Sequence, residues 1–288
     1  MTQGEVKTQV RQFYDRIGWQ MDGELYQNAR YEDLRPVSAE YLHRCHLRVK
    51  RHIKPNGTYL LDGGSGPIQY PEYLLYSEGY TYRVCADLSI VALKEARRRI
   101  GTHGLFVVTD IANLPFKAGA FDGAVTLHTF HHLPQPEQMK AYREVYRVLA
   151  PESSAVVVNG WTDSSLMRQL KPLMTGSEWV GGMILRLRKG KQTHKSPEAG
   201  KEQDPAPRPN GTYIHKLNAE GLRRELAAEM DLDIRVWRSV NVRFLRSVIH
   251  KASVGKLILK LLFALEESFP SFFGENGQYP LIVLRKPG

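Results

Sequence analysis

The residues with the most chemical content fall in a few short runs. In LLDGGSGPIQY (60–70) an apolar run leads into Asp62 and then into four small residues, Gly63, Gly64, Ser65 and Gly66. Glycines let the chain turn tightly and let a ligand approach the main chain with no Cβ in the way. A helix expected soon after Pro67 would add free amides that favour a negatively charged group. The run lacks the Lys-Ser/Thr of a phosphate-binding loop and the full three-glycine dinucleotide fingerprint. Taken alone it is equally compatible with a plain tight connection.

About 25 residues on, VCADLS places Asp87 at the end of a second apolar run. A carboxylate there can accept both hydroxyls of a ribose. It can also cap the next helix, a role open to Ser89. A third run ends in TDIANLPF, where Asp110 can meet an exocyclic amine and Ile111 can pack on a flat base. A turn-forming Asp is the alternative. Next comes FDGAVTLHTFHHLP, with His128, His131 and His132. Imidazole titrates near neutrality and could act as a general base, although packing is the simpler role. A metal site is not expected, because no carboxylate or thiol sits at useful spacing from these histidines.

These residues need elements to hold them. Short apolar runs alternate with helical stretches: TYLLD (58–62) then 73–80, YRVCAD (82–87) then 90–100, LFVVTD (105–110), FDGAVTL (121–127) then 137–149, and SAVVVNG (154–160). Strands alternating with helices imply right-handed βαβ units and a parallel sheet. In an open sheet of that kind the ligand crevice lies at the carboxyl ends of the strands, where three acidic residues stand. Before it, residues 5–52 read as helix in two or three pieces, with Ser38 as a candidate N-cap. After it, 161–185 has helical character and 189–211, with three prolines in five residues, reads as a mobile loop. A helix at 218–230, a strand at 233–240, a helical region near 242–267 and a strand at 279–286 complete the chain.

The chain has 288 residues and ordinary globular composition, 42% hydrophobic and 24% charged, which excludes global disorder. Forty Lys and Arg against 30 Asp and Glu give a net charge of +10. The excess is local. Residues 186–216 hold eight Lys/Arg to three Asp/Glu, and 235–260 hold seven to none. Two cysteines, Cys45 and Cys85, cannot build a disulfide framework or a four-ligand zinc site and read as buried thiols of a cytoplasmic protein. No run approaches the length of a membrane-spanning helix, and the N-terminus lacks a signal-peptide pattern.

The series LLDGGSG, VCADLS, TDIANLPF, FDGAVTLHTFHHLP and YREVYRVLAPESSAVVV resembles class I S-adenosylmethionine-dependent methyltransferases. It is most similar to the branch with the ubiquinone and menaquinone C-methyltransferases, over about residues 57–160. The resemblance implies an α/β fold: a Rossmann-like seven-stranded sandwich whose last strand runs antiparallel, with an N-terminal helical cap and insertions. It divides the chain into a cap (1–56), a cofactor-binding core (57–160), an insertion with a basic loop (161–215) and a C-terminal part (216–288). It implies S-adenosylmethionine as cofactor, with Asp62, Gly63, Gly64 and Gly66 at its methionine part and Asp87 and Leu88 at the ribose. Asp110 and Ile111 would meet the adenine, Leu127 and His128 would floor the sulfonium, and Tyr14 would cover it as a lid. One departure is APESS (150–154), where relatives turn on Pro-Gly-Gly.

Methyl transfer asks mainly that donor and acceptor be held in line, since the sulfonium is already an electrophile. His131 and His132 are the candidate bases, and His215 in YIHKLN (213–218) is a candidate acceptor contact. The expected activity is O-methylation of a small natural product, sugar or lipid. The alternatives are a quinone or lipid C-methyltransferase and a non-catalytic cofactor-binding regulator. The basic amphipathic stretch 242–267 reads as a lid packed on the fold or as a peripheral membrane contact. Nucleic acid is a minor reading, because no recognisable binding module is present.

Overall fold

The computed structural model describes residues 2–22, 25–190, 212–249 and 252–288; most of the basic loop expected at 189–211 lies outside the described residues. Helix α1 (Gln3–Phe13) runs into one π-helical turn (Tyr14–Gly18), followed by the short hairpin β1 (Met21–Asp22) and β2 (Leu25–Tyr26), and by α2 (Ala39–Leu47). The sheet strands then come in order: β3 (Gly57–Gly63), β4 (Tyr80–Asp87), β5 (Gly104–Val108), β6 (Phe121–Leu127) and β7 (Leu149–Val158). Helices α3 (Pro71–Leu74), α4 (Ile90–Ile100) and α5 (Gln135–Val148) connect them. Beyond β7 follow α6 (Ser165–Gly190), α7 (Ala219–Leu226), β8 (Asp231–Arg238), α8 (Val242–Val248), α9 (Ala252–Ser268), α10 (Pro270–Asn276) and β9 (Tyr279–Arg285).

The seven strands lie in the order β5-β4-β3-β6-β7-β9-β8. All neighbours are parallel except β9, which is antiparallel to both β7 and β8. The expected seven-stranded Rossmann-like sheet with an antiparallel last strand is therefore observed. Leu60 and Leu61, and Val156 and Val157, send successive side chains into the two layers that cover the sheet, as buried parallel strands require. A third apolar cluster, with Tyr41, Phe244, Leu259 and Phe263, joins α2, α6, α8 and α9 beside the sheet.

Local chemistry departs from expectation in four places. The helix expected at 73–80 is one α-turn from Pro71 to Leu74 continued by a 3₁₀ turn, and it starts four residues after Pro67. So short an element offers little dipole to an anion. Ser38 precedes α2 but does not cap it, because its hydroxyl donates to Asp33 Oδ2 at 2.6 Å. The APESS segment is part of β7, with Glu152 left-handed at φ +58° and the register to β6 shifted. The single helical region expected near 242–267 is two helices, because α8 ends at Val248 with Ile249 extended.

Candidate active site

The carboxyl ends of β3, β4 and β6 open into one cavity of about 810 Å³, toward the upper end for small-molecule sites. Its floor is the turn after β3. Gly64 and Gly66 sit at φ +67° and +55°, where a side chain is strained. A Cβ on Gly64 would lie 2.3 Å from the Thr129 side chain, and one on Gly66 would lie 3.1 Å from the Trp19 ring. The main chain of this turn is thereby bare toward the cavity.

Asp62 is buried on β3 and takes both bonds from Arg83 through one oxygen: Nε at 3.0 Å and Nη2 at 2.6 Å on Oδ2. Arg83 also donates to the Tyr73 carbonyl from its other nitrogen. Burial pushes the Asp62 carboxyl above its ordinary range against the pull of Arg83. Asp87 accepts from the Gly66 amide at 2.9 Å and the Ser89 amide at 2.8 Å. Burial pushes its carboxyl up to about 6, against those two donors. Ser89, not Asp87, caps α4, accepting from the Ala92 amide at 3.0 Å.

The N-terminal segment lies across this floor. Lys7 bonds Asp110 Oδ2 at 2.5 Å and also Glu137, Asp15 takes the Ser89 hydroxyl, and Tyr14 stacks on Trp19 at 4.8 Å. Tyr14 reaches His132, with its hydroxyl 2.8 Å from Nε2. His132 Nδ1 lies 2.9 Å from the Tyr213 carbonyl, so that nitrogen carries the proton and Nε2 accepts from Tyr14. Both nitrogens of His132 are thus occupied.

His131 differs. Its Nδ1 faces Asn159 Oδ1 at 3.3 Å, which places the proton there and leaves Nε2 as a free acceptor. Burial drives the His131 imidazole well below its ordinary pKa, and does the same to His132, to about 4, and His128, to about 3. All three are neutral near pH 7. His128 is left-handed at φ +56°, and its ring packs edge-on against Trp237 and Tyr279.

The far end of the cavity is built from distant segments: Tyr31, Glu32 and His46 from the N-terminal part, Thr212, Ile214 and Lys216 from the approach to α7, and Trp237, Asn241 and Tyr279 from the C-terminal part. Glu32 and Arg238 form a bidentate pair behind it, and Arg238 holds the Glu32 carboxyl below its usual range although burial opposes this. His46 stacks on Trp237.

Of the residues singled out in the sequence, Tyr14, Asp62, Gly64, Gly66, Asp87, Leu88, Ile111, Leu127, His128, His131 and His132 meet around this cavity. Gly63, Asp110 and His215 are not among its lining residues. Asp110 is held by the Ala112 amide, Asn113 and Lys7. Residues 212–217 form neither helix nor strand; Thr212, Ile214 and Lys216 line the cavity, while the His215 carbonyl accepts from Gln138. Sequence reasoning missed Lys7, Arg83, Asn159 and Lys216. Only Arg83, a charge inside an otherwise apolar strand, carried a signal.

The arrangement fits S-adenosylmethionine. Asp62 keeps Oδ1 for an ammonium, Asp87 has a second lone pair on each oxygen for ribose hydroxyls, and Leu88 and Ile111 are apolar walls for a flat base.

Comparison with known proteins agrees. Residues 61–157 match the family model described as a methyltransferase domain. The chain is 30% identical over 169 residues to an Arabidopsis thaliana tRNA (carboxymethyluridine(34)-5-O)-methyltransferase, covering 50% of this chain and 40% of that protein. It is 27% identical over 162 residues to sterol methyltransferase-like 3 of Botryococcus braunii, covering 53% and 40%. The chain thus spans less than half the length of these curated relatives. Among solved structures, Haemonchus contortus phosphoethanolamine N-methyltransferase 1, in complex with phosphoethanolamine and S-adenosylhomocysteine, superposes with a TM-score of 0.59. The identity is 10%, over 100% of this chain and 50% of that one. The [4+2]-cyclase SpnF superposes at 0.51 with 18% identity over 98% and 96%. At such identities these likenesses speak for the fold. Residues 61–157 of this chain match a methyltransferase domain, within a fold shared with a methyltransferase that was solved with S-adenosylhomocysteine.

Proposed function

We propose that the protein transfers the methyl group of S-adenosylmethionine to an oxygen of a small organic acceptor, with His131 as general base. The observation that carries this reading is His131 itself: it lines the cavity, burial keeps its imidazole neutral, and its Nδ1 faces Asn159 Oδ1, which favours the proton on Nδ1 and Nε2 as the acceptor. Asp62 would hold the ammonium of the cofactor, and Asp87 the ribose. The cofactor supplies an activated methyl group on a sulfonium. His131 would take the acceptor's proton at Nε2, leaving an oxygen nucleophile. Tyr14 and Trp19, tied down through His132, would keep water from the reacting centre. The test is a methyl-transfer assay with methyl-labelled S-adenosylmethionine and a panel of phenols, carboxylic acids and sugars, in wild type and His131→Gln. Transfer to oxygen that collapses in the variant supports the reading. Cofactor binding without transfer to any acceptor would favour a non-catalytic regulatory module instead.

A second reading, an acceptor carried in a lipid surface, is favoured by α9. Leu259, Phe263 and Glu266 turn inward, while Val254, Leu257, Leu261 and Leu265 are half or more exposed beside Lys256 and Lys260. No described helix is long and apolar enough to cross a membrane, so contact would be peripheral. Co-sedimentation with anionic vesicles, lost in Leu257→Glu/Leu261→Glu, would support it. Equal recovery with and without vesicles would remove it.

A further inference from the structure

We infer that the acceptor reacts as an oxyanion paired with Lys216, which assigns it to the class of acidic O–H compounds: phenols, enols or carboxylic acids. The inference deepens the methyl-transfer reading and rests on it. Lys216, in the segment before α7, lines the acceptor end of the cavity, and its ammonium packs over Gly160. A Cβ on Gly160 would stand 3.2 Å from Lys216 Nζ and 3.3 Å from Cε, so the glycine makes room for this side chain. Gly160 follows Asn159, the residue that orients His131.

Lys216 is more than half buried, yet no carboxylate, carbonyl or hydroxyl among the described residues receives its ammonium. The ionisable groups near it are His131 and His132, both kept neutral by burial, and Tyr279, whose ring also approaches Gly160. Of the other cations near the cavity, Arg11 is exposed to solvent and the rest are matched. Lys7 has Asp110 and Glu137, Arg238 has Glu32, and Arg243 has Glu178. A cation withdrawn from water and left without a counter-charge favours a ligand that brings one. The same ammonium lowers the ionisation point of an acceptor hydroxyl beside it, so His131 has a weaker proton to remove. Loss of the acceptor proton to His131 leaves the oxyanion. That oxygen forms the new bond to the methyl carbon as the carbon–sulfur bond breaks, and neutral S-adenosylhomocysteine departs.

The experiment uses the full chain saturated with S-adenosylhomocysteine, in wild type, Lys216→Met and Lys216→Arg. The probe is 4-nitrophenol, whose ionised form absorbs visible light. Bound to wild type it should ionise about one pH unit or more below its free value. Lys216→Met should abolish the shift and Lys216→Arg should keep most of it. Benzoate should bind wild type about tenfold or more tighter than benzamide, a preference again lost only in Lys216→Met. An unshifted nitrophenol in wild type, or a shift that survives Lys216→Met, overturns the inference. Failure of S-adenosylhomocysteine to bind would instead overturn the methyl-transfer reading. The two sources of the oxyanion separate by pH. A carboxylic acid is transferred at a rate independent of pH above about 6, whereas a phenol shows a rate that rises with pH and falls in His131→Gln.

Discussion

The two ends of the cavity are built in opposite ways. At the cofactor end each acidic side chain closes on groups supplied by neighbouring strands. Asp87 bonds the amides of Gly66 and Ser89, and Asp62 bonds Arg83, which stands opposite Leu60 in the register of β3 and β4. At the acceptor end the groups come from residues as far apart as Tyr31, Lys216 and Tyr279, and several buried polar atoms have no partner, among them Trp237 Nε1, His46 Nε2 and Thr212 Oγ1. The first end is finished within the protein, as a site for a constant ligand should be. The second holds polar atoms that cost stability until something pairs with them. The contrast teaches where variation can occur: on the proposed reading the sheet margin serves the cofactor and the surrounding segments the acceptor.

The largest test of this division is His131→Gln. Removing the base should lower turnover by about 10²–10⁴-fold and leave cofactor affinity within twofold by calorimetry; a parallel loss of affinity would show that the two ends are not separate. Asp62→Ala should act on the other end and on folding. It leaves Arg83 charged and buried, so urea denaturation should report a loss of about 3–5 kcal/mol. Asp87→Ala should weaken S-adenosylhomocysteine binding by about 1–3 kcal/mol without unfolding the chain, and an unchanged affinity would remove Asp87 from the ribose.

Acid pulls the two ends in opposite directions. Asp87 ionises in the folded protein at about 6, above its ordinary 3.8, so the native state holds more protons between those values and is relatively stabilised as pH falls through 6. His128 and His132 ionise at about 3 and 4, below the ordinary 6.5, so their contribution is present above 6.5 and is lost as pH falls. His131 shifts in the same direction as these two and Asp62 in the same direction as Asp87, so three histidines stand against two carboxyls. Stability should drop by on the order of 1–2 kcal/mol per histidine from pH 7 to 5, and His132→Asn should flatten the curve. Cofactor affinity should weaken below pH 6 in wild type but not in Asp87→Asn. The smallest effect expected is that of salt on acceptor binding: a small oxyanion pairs with one cation, whereas an RNA acceptor would lose affinity by orders of magnitude between low and moderate salt.

The cofactor end was legible in the sequence because its chemistry is local. Asp62, Gly64 and Gly66 lie within five residues, and a strand that must end at a sheet margin carries its last residues there whatever else the chain does. The pattern of apolar runs placed Asp87 at a strand end in the same way, and alternating strands and helices implied a parallel sheet, to which the family resemblance added the antiparallel last strand.

The acceptor end was decided by packing between distant segments. Nothing near Asp110 in the chain says that Lys7, 103 residues earlier, will neutralise it. Nothing in HTFHHLP says that Tyr14 and the Tyr213 carbonyl will occupy His132 while Asn159 leaves His131 half free. In YIHKLN the residue type drew attention to His215, but it is Lys216, the next residue, that lines the cavity. Strand ends, glycine turns and apolar periods are short-range consequences of backbone sterics, and a sequence by itself determines them. Which proton, which cation and which face meet in the cavity depends on long-range contacts, and only the tertiary structure decides those.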